Sequence, residues 1–141
     1  MEEIICNLHV HTHYSDGSGD YTRIADEAFQ SGVDVVIITD HNVWVKGLER
    51  YVEKEDRRVL LLTGEEVHDQ ARMPQKSHML VIGCENEVSP FAYDPQTLID
   101  KINEHHGLSF LAHPYEYALP PLPPPHLTPP LTRPHPPPPP K

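Results

Sequence analysis

The chain has 141 residues, 38% of them hydrophobic, 11 histidines and a formal net charge of −10; this length fits one domain with a real core. Residues 1–118 hold all 21 acids and nine of the 11 basic residues, a net −12, so bulk charge does not draw this part to nucleic acid, although bound cations can reverse the sign locally. Two cysteines, no signal-peptide pattern and no long apolar run speak against a disulfide framework, secretion or a membrane span, and a reducing cytoplasm is the expected setting.

The first apolar stretch, residues 3–11, reads as a buried strand whose face Ile4, Cys6, Leu8 and Val10 packs on helices. His9 and His11 are two apart and point together to the other face, about 7 Å apart along the strand, close enough to share a metal ion. Asp16 follows a turn built on Ser15 and Gly17 and can bring a carboxylate back to the two rings. Imidazole with carboxylate suits zinc, manganese or iron. Asp20 is a helix N-cap for residues 21–30, which place Ile24, Ala25, Ala28 and Phe29 on one stripe, and Gly32 closes that helix.

Residues 35–39 form a continuous apolar run, the pattern of a strand covered on both faces, and lead into Asp40-His41. Residues 46–54 read as a short helix. The next strands are 59–63, ending in Gly64-Glu65-Glu66, and 78–82, beginning at His78. Asp94-Pro95 supplies an N-cap and an N1 proline for a helix that buries Leu98, Ile99 and Ile102 and stops at Gly107. Residues 108–112 form the last strand, ending in His113. Strands and helices in this order predict an α/β fold with mostly parallel strands. Polar residues recur where strands end, and in α/β barrels that is where the chemistry sits.

These residues resemble the PHP family, the polymerase and histidinol phosphatase domain of metal-dependent phosphoesterases. His9-x-His11 with Ser15-Asp16-Gly17, Thr39-Asp40-His41, Gly64-x-Glu66-Val67, His78 before an aliphatic strand and Ala112-His113-Pro114 match its motifs in the family's order. The resemblance implies the N-terminal part of a distorted (β/α)7, TIM-like barrel over residues 1–117, with two or three divalent ions (Zn, Mn, Fe or Mg). It implies that His9, His11 and Glu66 hold one metal, that Glu66 bridges to a second held by His78 and His113, and that Asp16 and His41 hold a third. Glu66, Asp16 and His41 are the candidate catalytic residues. Asp40 is a candidate for orienting a ring N–H of His9, His11 or His41, or else a loop-capping aspartate.

The implied activity is hydrolysis of phosphomonoesters or phosphodiesters by a metal-activated water. The substrate would be a small phosphorylated metabolite, a nucleotide or an oligonucleotide. Arg72 and Lys76 are candidates to meet its phosphate, Tyr14 and Trp44 to stack on a ring, and His13 and His68 are expected in solvent. The alternative is a metal-binding domain without turnover, because the family's late Asp-x-His motif has no counterpart: no aspartate follows Asp100.

Residues 118–141 carry 13 of the 17 prolines and no acid, a composition expected to be polyproline II or disordered. A truncated or frameshifted form of a longer protein is the favoured explanation of the missing strands. Strands from another chain, or a tail that is itself a ligand, are the alternatives. Two PxxP matches between Arg133 and Lys141 are what chance gives in so proline-rich a run, so no SH3-type partner is expected.

Overall fold

The computed structural model of the chain describes residues 3–72 and 78–114. Lys76 and the proline-rich segment 118–141 lie outside those residues. Among the described residues the chain forms six strands, β1 (Cys6–Val10), β2 (Val35–Ile38), β3 (Arg50–Lys54), β4 (Arg57–Val67), β5 (Met79–Ile82) and β6 (Leu108–Leu111), with helix α1 (Tyr21–Ser31) after β1 and helix α2 (Pro95–Glu104) before β6. The sheet runs β1-β2-β4-β5-β6, with β3 pairing β4 off that path, and it curls into half a barrel.

The sheet is mixed rather than mostly parallel. β1, β2 and β4 are parallel, while β3–β4, β4–β5 and β5–β6 are antiparallel. The cause is β4, which is 11 residues long rather than five. One of its edges takes β2 along Leu60–Thr63. Its other edge takes β3 along Arg57–Leu61 and then β5 along Gly64–Val67. Glu66 therefore sits inside a strand, not in the loop after one.

The helix expected at 46–54 does not form: residues 46–47 turn and Arg50–Lys54 is a strand. Gly47 has φ 80° and breaks the chain there. Lys54 pairs with Arg57 across a two-residue turn, Glu55-Asp56, and Glu55 takes φ 57°. The hairpin partner outweighs the helical composition of this segment.

Both helices carry the caps read from the sequence. The Asp20 side chain accepts the Arg23 N–H and Gly32 closes α1 at φ 74°. The Asp94 side chain accepts the Thr97 N–H with Pro95 at N1. The C-terminus of α2 differs: His106, at φ 57°, makes the left-handed turn. Gly107 is needed for space, since a Cβ there would strike the Cys84 sulfur.

The odd-numbered face of β4 is covered by helices. Val59 and Leu61 pack with Val36, Ile38, Tyr21, Ala25 and Ala28 under α1. Val67 packs with Val81, Cys84, Val88, Leu98 and Ile102 under α2. Glu65 is buried on this face, where its Oε2 accepts the Val88 N–H at 3.0 Å, and burial pushes its carboxyl above the usual range. Burying a side chain such as Leu61 contributes about 1.5–3 kcal/mol.

β1 departs from the expected face. Asn7 pairs with Val36 but Val10 with Ile38, so one extra residue bulges the strand between them. The bulge puts Asn7 and Val10 together on the helix side and turns His9 to the concave side. Ile4, Cys6 and Leu8 are exposed, contrary to the reading of one continuous buried face.

Candidate metal centre

The concave face of β4 carries the Glu66 carboxylate, fully buried at 0% exposure. Five imidazoles converge on it. Its Oε2 lies 2.8 Å from His11 Nε2, 3.3 Å from His41 Nδ1 and 3.5 Å from His9 Nε2. Its Oε1 lies 3.0 Å from His78 Nδ1 and 2.9 Å from His113 Nε2. The rings come from the ends of four strands. His9 and His11 flank the end of β1 and His41 follows β2, bridging to Glu66 as a parallel β-pair. His78 and His113 bracket the antiparallel pair β5–β6, where the Ala112 N–H donates to the His78 carbonyl at 2.8 Å.

Asp16 enters from the loop after β1. Its Oδ1 is 2.6 Å from His11 Nδ1 and its Oδ2 is 3.6 Å from His41 Nε2. The loop is wound tightly, with the Ser15 and Gly17 N–H groups both donating to the Thr12 carbonyl. A Cβ on Gly17 would collide with the His11 carbonyl, so only glycine allows this return.

Asp40 holds that loop and does not touch the rings it was a candidate to orient. Its Oδ1 accepts the Thr12 N–H and the Ser15 hydroxyl, both at 2.7 Å, and its Oδ2 accepts the Thr12 hydroxyl at 2.7 Å. The loop-capping alternative is the one the structure supports. The group beside His9 is Thr39, whose Oγ1 lies 2.8 Å from His9 Nδ1 and leaves Nε2 facing Glu66.

Burial first, then its histidine neighbours, holds His9 and His41 below the ordinary imidazole range, against the pull of Glu66. For Glu66, burial is the largest single influence and pushes upward. The His113 hydrogen bond and the charges of His9, His41 and His78 together outweigh it and hold the carboxyl below its usual range. The hydrogen bond from His11 does the same for Asp16. Neutral rings and ionised carboxylates are the protonation states that bind metal.

The atoms fit a cation. His11 Nε2, His41 Nδ1 and Glu66 Oε2 are buried and make no hydrogen bond among the described residues, despite lying within 3.3 Å of each other's carboxylate partner. Lone pairs aimed at a common point leave a coordination position. Three groups bring ligand atoms within 4.8 Å of one another: His9, His11 and Glu66; His11, Asp16 and His41; His41, Glu66 and His78. His41 thus belongs to two groups, and Glu66 to two. His78 and His113 share the other oxygen of Glu66.

His68 was expected in solvent and is buried at 8% exposure. Its ring stacks on His78 at 4.7 Å and stands edge-on to His41 at 5.0 Å. A signal was available: Glu66 and His68 are two apart on an extended chain and share a face. His13 is exposed and stacks on Tyr14. Arg72 is exposed and lines a small cavity with His68, outside the ring of imidazoles.

The family model described as PHP domain matches residues 7–115. The uncharacterized protein MJ1587 of Methanocaldococcus jannaschii is 30% identical over 120 residues, which covers 77% of this chain and 67% of that protein.

Proposed function

The chain belongs to the PHP domain family, and from that premise we propose that it is a metal-dependent phosphoesterase acting on a small phosphorylated substrate. The curled half-barrel is read as the N-terminal part of a distorted (β/α)7 barrel. The observation that supports the activity most is the buried Glu66 carboxylate with five imidazoles on its two oxygens.

His9, His11 and Glu66 would hold one ion. His78, His113 and the other oxygen of Glu66 would hold a second, and Asp16 with His41 a third. When bound, divalent cations supply a water of lowered pKa and neutralise charge on phosphate oxygens. Glu66, with His11, His41 and His9 about one oxygen and His78 and His113 about the other, would help hold the first two ions. Thr39 fixes the His9 ring so that Nε2 faces the centre. Asp40 sets the loop that delivers Asp16. No helix among the described residues is long and apolar enough to cross a membrane.

A second reading, a metal-binding domain without turnover, is favoured by one fact: no aspartate follows Asp100, so the late Asp-x-His pair implied by the resemblance is not in this sequence. Elemental analysis of the purified protein, with p-nitrophenyl phosphate and bis-p-nitrophenyl phosphate assayed on the same sample, separates the two. Two or more ions per chain with turnover is the expected result. Metal without turnover moves the assignment to the second reading, and a folded protein that takes up no metal overturns both.

A further inference from the structure

Beside the imidazole ring lies a second cavity of about 420 Å³, within the range of about 300–1,000 Å³ of small-molecule sites. His68 lines it and packs on His41 and His78, so the cavity lies one ring away from the centre. His68 is more than nine-tenths buried, and its Nδ1 has no hydrogen-bond partner among the described residues. The other polar walls are Asn42, Asp69, Gln70 and Ser89, and Tyr93 closes one side.

The chemistry of these walls is selective. Among the described residues that line it, Asp69 is the one that carries a charge, so this wall disfavours a phosphate and leaves that group to the metal side. Asp69 uses Oδ1 to accept the Ala71 N–H, and Asn42 uses Oδ1 to accept the His68 N–H. Each retains its second polar atom for a ligand. A carboxylate, two amides, a hydroxyl and an imidazole within one small cavity match a group that presents several adjacent hydroxyls. Tyr93, an exposed aromatic ring, offers a flat wall for the C–H face of such a group.

We propose that this cavity is the leaving-group subsite, taking the sugar of a phosphorylated sugar or of a nucleotide while the phosphate faces Glu66 and its histidines. The assignment rests on the phosphoesterase reading for the direction of the phosphate. The polyol-binding cavity next to the centre does not require that reading.

The test uses the metal-loaded full chain and two independent readouts. One is kcat/KM for ribose 5-phosphate, adenosine 5′-monophosphate and p-nitrophenyl phosphate, in the natural protein and in Gln70→Ala and Ser89→Ala. The other is the shift of the Asn42 and Gln70 side-chain amide signals in NMR on titration with ribose and with ribose 5-phosphate. A preference of tenfold or more for the sugar phosphates over p-nitrophenyl phosphate, reduced through KM in both variants, is expected, with amide shifts for both ligands. Ribose 5-phosphate above the nucleotide identifies a free sugar phosphate, and the reverse order identifies the ribose of a nucleotide. Equal kcat/KM for all three esters and unmoved amides overturn the subsite while leaving the phosphoesterase standing. Amide shifts without turnover of any ester retain the subsite and overturn the phosphoesterase. Gln70 is exposed, so its variant does not put folding at risk.

Discussion

Replacing Asp40 separates its role in the loop from a role at the metals. Asp40 is 1% exposed and Thr12 0%, and three donors end on the Asp40 carboxylate. A hydrogen bond to a charged acceptor contributes about 1.5–3 kcal/mol, and a buried donor left alone costs about 1–3 kcal/mol. These bonds share one acceptor and are not additive, so Asp40→Ala should cost about 3–5 kcal/mol. Asp40→Asn keeps Oδ1 for the Thr12 N–H and the Ser15 hydroxyl and disturbs only the contact with the Thr12 hydroxyl. It should cost about 1–2 kcal/mol. Urea unfolding of the metal-free protein reads both. With m of about 1–3 kcal/mol per M, the alanine variant should lower the midpoint by more than about 1 M. A midpoint lowered by less than that, together with collapsed metal uptake, would refute the reasoning and return Asp40 to the metal centre.

Other expectations follow from the same contacts. Glu66→Gln should cut metal uptake by elemental analysis to no more than the ion proposed at Asp16 and His41. It should also reduce the metal-induced rise in Tm, which at a hundredfold excess over Kd reflects about 2.7 kcal/mol; an undiminished rise would sink the bridging role. Metal-free stability should fall in acid. His9 and His41 have lowered pKa values in the fold, so below about pH 6.5 the unfolded chain takes up their protons first. The lowered pKa of Glu66 acts in the same direction, its contribution being present above about 4.5 and lost as pH falls through the folded value. Urea midpoints that stay flat from pH 7.5 to 5 would contradict this. Gly17→Ala should cost about 1–3 kcal/mol and loosen Asp16, seen as a weaker third metal in titration. Leu61→Ala, in the core under α1, should cost about 2–5 kcal/mol without changing the number of ions bound.

What was legible in the sequence was what neighbouring residues decide. The caps Asp20, Gly32 and Asp94-Pro95 act over three or four residues, and the two-residue repeat placed His9 beside His11. What escaped depends on partners far along the chain. The β1 bulge exists only relative to β2, and residues 50–54 are extended only because β4 offers an edge. Asp40 stands next to His41, and spacing alone does not say which way its carboxylate turns. His68 escaped for a different reason. The repeat that joined His9 with His11 also joins His68 with Glu66, but His68 lies beyond the expected end of its strand at residue 63.

β4 is paired along both edges, and the Glu66 N–H itself donates to the Asp40 carbonyl at 3.0 Å. In hydrogen exchange its amides should open only when everything opens. Asp16 has a side chain 67% exposed on a short loop, and the amide there should exchange by local fluctuation. One ligand set therefore draws on both ends of the protein's range of local stabilities. An ion at Asp16 and His41 should exchange with solution faster than one held by Glu66 with His9 and His11. A chelator should strip the centre in two kinetic phases.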